Sequence, residues 1–186
     1  MSEMPPINTA KSNDFQTPPE ALTPLLPFLK KEWIIWECAE GDGRLSHCLF
    51  DLGYRVLGSE LLVREKHKHL CGVEHYSGKN FLNWDPVNFD CIITNPPYSI
   101  MNKFIERCYH LEKPFALLMP LMALETQTRQ NFYRKYGIEI ILFPKRIHFK
   151  TPDGKGHGPW FSTAWFTHGL DIGKELLFSE ERNAGV

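Results

Sequence analysis

Short, unbroken apolar runs alternate with stretches of helical spacing along most of this chain, and that alternation limits the folds open to it. Trp33 to Glu37, Tyr54 to Ser59, Phe89 to Thr94, Phe115 to Met119, Ile138 to Phe143 and Phe161 to Thr167 read as strands. Arg44 to Leu52, Leu62 to Leu70, Ile100 to Leu111 and Leu124 to Tyr136 read as helices between them. Strands without polar alternation need cover on both faces, so the pattern predicts an α/β fold with a mostly parallel central sheet. Ligands bind such sheets beyond the carboxyl ends of the strands. Chemistry is therefore sought just after each strand.

The chain has 186 residues, enough for one compact domain. Residues 1–13 read as a flexible arm, 14–172 as the domain and 173–186 as a tail. A short helix is expected after Thr17, which caps it ahead of Pro18 and Pro19; Pro24 and Pro27 shorten or break it. No apolar run approaches a membrane span and no secretory pattern opens the chain, so the expected compartment is the cytoplasm. The five cysteines are odd in number and scattered, as expected of reduced thiols.

Three strand ends carry unusual residues. After the first strand comes Glu37, Cys38, Ala39, Glu40, Gly41, Asp42, Gly43. The glycines permit a tight turn and close approach of a ligand, and the acids suit hydroxyls and an ammonium group better than a pyrophosphate. A tight turn with no ligand is the alternative. Glu60 ends the second strand, where an acid can accept hydrogen bonds from ribose hydroxyls. After Asp90 to Thr94 comes Asn95, Pro96, Pro97, Tyr98. Adjacent prolines cannot continue a central strand and leave it in a fixed, extended shape. Asn95 and the carbonyl of Pro96 are both acceptors that can hold an amino group by its hydrogens, and Tyr98 can stack on the plane carrying that amine.

These residues resemble the S-adenosylmethionine-dependent amino-methyltransferases of Asn-Pro-Pro-Tyr type, and most closely the small bacterial and phage DNA N6-adenine methyltransferases. The resemblance runs from about Asp14 to Phe166 and implies a Rossmann-like methyltransferase fold with helices on both faces of the sheet. It implies S-adenosylmethionine as cofactor and DNA as partner, with Asn95, Pro96, Pro97 and Tyr98 as the catalytic segment. By the same resemblance Phe15, Gln16, Thr17 and Pro18 border the methionine end of the cofactor. Glu37, Cys38, Ala39, Gly41, Asp42 and Gly43 form its methionine and ribose site, and Glu60 holds the ribose hydroxyls. Asn80 and Phe81 match an Asp-Phe pair flanking the cofactor's adenine; Asn80 departs from the Asp, and weaker cofactor binding is expected. A capping Asn is the other reading of that position.

The stretch from Arg146 to Phe161 resembles the family's late motif against the target base, with Lys145, Arg146, Phe149 and Lys150 as the expected substrate contacts. Phe149 is the preferred aromatic because its basic neighbours suggest a groove edge, although an aromatic alone is more often core. From Pro144 to His157 the bases Lys145, Arg146, Lys150 and Lys155 face the acid Asp153, a patch for phosphates or a solvated loop, in a chain of net charge −1. His67, His69, Cys71 and His75 fit no familiar metal spacing and read as surface histidines. No metal is expected. Adenine in RNA, cytosine N4 and a protein glutamine are alternative acceptors, and a non-catalytic binding subunit is the rival class. No target-recognition domain fits between Tyr98 and Arg146, so specificity is low, or it comes from a second copy or another partner, or the substrate is single-stranded or structured RNA.

Overall fold

A computed structural model describes residues 17–62, 72–149 and 161–178. Eight strands form one sheet: β1 Ile34–Glu37, β2 Arg55–Glu60, β3 Glu74–Ser77, β4 Cys91–Thr94, β5 Phe115–Pro120, β6 Glu139–Leu142, β7 Thr163–His168 and β8 Leu176–Phe178. Their order is β3-β2-β1-β4-β5-β7-β6-β8. All pairs are parallel except those that β7 makes with β5 and β6. Among the described residues, three α-helices connect them: α1 Arg44–Asp51, α2 Met101–His110 and α3 Gln127–Tyr136.

Successive strand residues point to opposite faces, and each face has its own apolar cluster. Ile35, Cys91, Ile93, Ala116, Leu118 and Trp165 pack with Leu45 and Leu49 of α1 and with Leu22 and Leu25. Trp36, Ile92, Leu117, Met119 and Phe166 pack with Phe104, Ile105 and Cys108 of α2. Every residue of β4 and β5 is buried, which is why both read as unbroken apolar runs. Cys38, Cys48, Cys91 and Cys108 are free thiols. Among the described residues, no helix is long and apolar enough to cross a membrane.

Several expectations are corrected. Pro18, not Thr17, precedes the first helical residue, and Pro19–Leu22 and Leu26–Phe28 form two 3-10 turns in place of a helix. Pro24 and Pro27 lack the N–H groups an α-helix needs there. The helix expected from Leu124 begins at Gln127, after a separate 3-10 turn over Leu121–Leu124. Ile100 precedes α2 at φ −125° and is 37% exposed, outside the apolar cluster that holds Phe104, Ile105 and Cys108. Strand β3 was not foreseen, because its edge residues Glu74, His75, Tyr76 and Ser77 carry no apolar pattern. Nor was β7 the last strand: β8 lies in the stretch read as a tail and pairs with β6. Residues 1–13, positions 63–70 of the helix expected from Leu62 to Leu70, and Phe15, Gln16 and Lys150 lie outside the described residues.

Phe149 is not at a groove edge. It is 3% exposed and belongs to the cluster containing Ile147, Trp165 and Leu170. An aromatic in this position stabilises the fold and cannot stack on a base. Phe149→Ala is expected to cost about 3–5 kcal/mol, against about 0.5 kcal/mol or less for a surface position, read from urea unfolding.

Candidate active site

Strand order reverses between β1 and β4. From β1 the chain proceeds through β2 to the β3 edge, and from β4 it proceeds the other way, so the two carboxyl ends leave a crevice between them. The turn after β1 forms one wall. Gly41 has φ 62° and Gly43 φ 84°, left-handed conformations that glycine adopts without strain, and Gly43 caps α1. The N–H of Gly41 donates to Glu60 Oε2 at 2.8 Å, and the N–H of Leu62 donates to Glu60 Oε1 at 3.1 Å. One carboxylate at the end of β2 thus ties the turn to the loop that follows that strand.

Opposite, Asn95 leaves β4 ahead of Pro96 and Pro97, and Tyr98–Ile100 make a 3-10 turn leading into α2. A cavity of about 380 Å³ lies between the walls and is lined by Gly41, Glu60, Asn80, Phe81, Asn95 and Pro97, among others. Residues picked out in four separate stretches of sequence therefore face one volume. Cys38 and Ala39 also line it. Phe81 is held there by Phe104, stacked with ring centroids 4.6 Å apart, and by Trp36 at 5.2 Å. Asn80 lines the cavity, and its Oδ1 accepts the N–H of Leu82 at 3.1 Å, as a capping side chain does. A second cavity, about 420 Å³, lies at the amino ends of β1 and β2 beside Ile34, Arg55 and Val87 and holds none of the chosen residues.

Other expected residues stand outside the cavity lining. Thr17 and Pro18 are buried. Asp42 accepts the N–H of Arg44 at 3.2 Å, and Gly43 is spent on the helix cap. Glu37 is 1% exposed, beneath the turn, where Oε1 accepts the Thr94 hydroxyl and, at 3.1 Å, the N–H of Ala39. Burial pushes its pKa up to about 8; the carboxylates of Glu40 and Glu60 add to the rise, while the hydrogen bonds from Thr94 and Ala39 oppose it. Glu37 therefore carries a proton at neutral pH. Burial, with Cys108 and Glu37 nearby, likewise raises the Cys38 thiol well above its usual range, so Cys38 is no nucleophile.

The late segment meets the Asn95–Tyr98 segment through Phe161 rather than Phe149, and neither Tyr98 nor Phe161 lines the cavity. Tyr98 meets Phe161 edge-on, with ring centroids 5.7 Å apart, and its buried hydroxyl has no hydrogen-bond partner among the described residues. Burial raises its pKa, which keeps it a phenol. Lys145 and Arg146 are exposed just past β6, which runs in the same sense as β4 and β5. They lie at the same end of the sheet as Asn95, past the carboxyl ends of the strands. Ile100, Phe104 and Lys79 also line the cavity and were not named from sequence as site residues; the apolar spacing of α2 was the only sign for Phe104. His75 is no surface residue: its Nδ1 lies 2.8 Å from Glu40 Oε2. Among the described residues, no group of three or more His, Cys, Asp or Glu is placed to hold a metal ion.

Solved structures share this architecture. A Listeria monocytogenes protein assigned to the class I S-adenosylmethionine-dependent methyltransferases superposes with a TM-score of 0.62 at 15% identity, over 90% of this chain and 66% of its own. The fold is that of the Rossmann-like methyltransferases. A dimethyladenosine transferase from Plasmodium falciparum gives 0.54 at 16% identity, over 82% of this chain and 62% of its own. The 1,6-didemethyltoxoflavin-N1-methyltransferase of Burkholderia thailandensis, solved with S-adenosylhomocysteine, gives 0.50 at 12% identity, over 80% of this chain and 75% of its own. The chain spans less than two thirds of the length of the first two. No protein-family model matches the sequence, and no curated protein matches it either.

In this methyltransferase fold the buried Glu37 makes stability depend on pH. The folded protein keeps the proton up to about pH 8, whereas the unfolded chain releases it near 4.5. The contribution of Glu37 to stability is thus full at low pH and is lost as pH rises through that window. Relative to wild type, Glu37→Gln is expected to gain up to about 1.4 kcal/mol per pH unit across it, measured by urea unfolding at several pH values.

Proposed function

We propose that this chain transfers a methyl group from S-adenosylmethionine to the exocyclic amine of adenine in DNA. The observation that carries this reading is the placement of Asn95 and Pro97 in the wall of the cavity that Gly41 and Glu60 also line. An amine-holding segment and a turn suited to a nucleoside then share one space. The adenine acceptor is supported by the resemblance of Asn95 to Tyr98 to the amino-methyltransferases and by the likeness in fold to a dimethyladenosine transferase.

The cavity fits the cofactor in size and in chemistry. Its turn is acidic, which disfavours a pyrophosphate and suits a ligand with a cationic centre and vicinal hydroxyls. Glu60, already oriented by the N–H groups of Gly41 and Leu62, would take the ribose hydroxyls with its remaining lone pairs. Phe81 would form the apolar wall for the adenine ring. When bound, S-adenosylmethionine supplies an electrophilic methyl group on a sulfonium.

The remaining chemistry is positional. The adenine amine is a poor nucleophile because its lone pair is delocalised into the ring. Accepting its two hydrogens at the Asn95 side chain and the Pro96 carbonyl would favour a pyramidal nitrogen with that pair free to form the N–C bond as the methyl–sulfur bond breaks and its electrons stay on sulfur, leaving a neutral thioether. The interaction strengthens as positive charge develops on nitrogen, and the surplus proton then leaves from the same N–H groups to solvent. Tyr98 would stack on the base, with Phe161 backing it. Lys145 and Arg146 would meet the phosphates beside the target nucleotide. Between Tyr98 and Arg146 the chain is taken up by α2, β5, α3 and β6, so sequence choice would come from a second copy or another partner.

The test is transfer of labelled methyl to duplex DNA, single-stranded DNA, transfer RNA and bulk protein, with nucleoside analysis of the product. N6-methyladenine in DNA is expected. Label confined to RNA or protein overturns the substrate, and absence of label with no cofactor binding overturns the enzyme. Asn95→Ala is expected to lower turnover by at least about a hundredfold while leaving S-adenosylhomocysteine binding nearly unchanged. Glu60→Ala is expected to weaken that binding by about tenfold or more in calorimetry.

A further inference from the structure

Glu40 belongs to the turn that walls the cavity, yet its side chain points away under the sheet edge. The carboxylate lies over Gly58 of β2, where an added β-carbon would come within 2.2 Å of Oε1. His75 of β3 is the register partner of Gly58, and its Nδ1 lies 2.8 Å from Glu40 Oε2. The two side chains are only 13% and 1% exposed. A carboxylate so buried is strongly disfavoured unless a donor faces it. Here the donor stands one strand further out, and it is reachable only because Gly58 puts nothing between.

The backbone of Glu40 is anchored as well. Its N–H donates to the Ser59 carbonyl at 3.1 Å, and its own carbonyl accepts the N–H of Gly43 at 2.9 Å. The next residue, Gly41, gives its N–H to Glu60. Side chain and main chain therefore pin residue 40 at the point where the turn enters its two left-handed glycines, whose conformational freedom would otherwise let the turn relax.

We propose that His75 is a positioning residue for the cofactor turn, holding Glu40 across the bare backbone of Gly58 so that Gly41 and Gly43 keep the shape that lines the cavity. The identity of the ligand rests on the proposed function; the bracing of the turn does not. Asn at position 75 can present its Nδ2 where the ring Nδ1 stands, whereas Phe keeps the bulk and donates nothing. Gly58→Ala attacks the same contact from the strand between: its β-carbon would come within 2.2 Å of Glu40 Oε1, so the carboxylate must move off His75.

The experiment compares wild type, His75→Phe, His75→Asn and Gly58→Ala by amide exchange at Gly41 and Gly43 in the cofactor-free protein, by calorimetry with S-adenosylhomocysteine and by thermal melting. His75→Phe and Gly58→Ala are expected to speed exchange at both glycines and weaken binding by about tenfold each, with His75→Asn restoring both. Unchanged exchange in His75→Phe and Gly58→Ala overturns the inference. So does a loss that follows melting temperature alone and that Asn does not restore. Wild type that binds no S-adenosylhomocysteine refutes the proposed function instead, and the exchange pattern then decides the bracing by itself.

Discussion

Strand β1 is hydrogen-bonded to β2 on one side and to β4 on the other, and the chain leaves these strands in opposite directions. A connection that departs toward one edge cannot also cover the carboxyl end of the strand beside it. The crevice at this reversal is thus a consequence of topology, and the residues that end β1, β2 and β4 fall around it whatever their chemistry. In this chain those residues are the Gly41 turn, Glu60 and Asn95. The two apolar clusters hold the crevice open by fixing the sheet from both faces, with α1 behind one wall and α2 behind the other.

Polar contacts at the crevice are arranged in two layers. In the upper layer the Glu60 carboxylate takes N–H groups from Gly41 and Leu62 and stays at the cavity. In the lower layer Glu37 is bonded to Thr94 and Ala39, and Glu40 to His75, each carboxyl away from the cavity lining. Thr94 immediately precedes Asn95, so the Glu37 contact joins the wall that carries the turn to the wall that carries the amine acceptor. Three acids that look alike in the turn and strand ends therefore differ in role because burial and partners differ. Glu37 is held neutral by burial, and Glu60 alone of the three faces the cavity.

Much of the fold was legible. Strands β1, β2, β4, β5, β6 and β7 are revealed by their apolar residues, because a strand covered on both faces must be apolar throughout. The two unforeseen strands, β3 and β8, are at the sheet edges: β3 carries no apolar run because one side of its ladder is open, and β8 is apolar but only three residues long. Phe149 has basic neighbours in sequence and Phe161 has none, yet Phe149 enters the core and Phe161 meets Tyr98, so adjacent charge did not mark the aromatic that lies beside the catalytic segment.

Sequence alone determined the α/β class, the positions of the strand ends and the identity of the residues placed there, since periodicity, glycine and proline act through local backbone constraints. Tertiary structure alone decided which of those residues share a cavity. It turned Glu37 inward while Glu60 faces the cavity, buried Phe149, and brought His75 to Glu40 through the gap at Gly58. Each of these depends on which strand lies beside which, and register between distant segments leaves no trace in the spacing of residues along the chain.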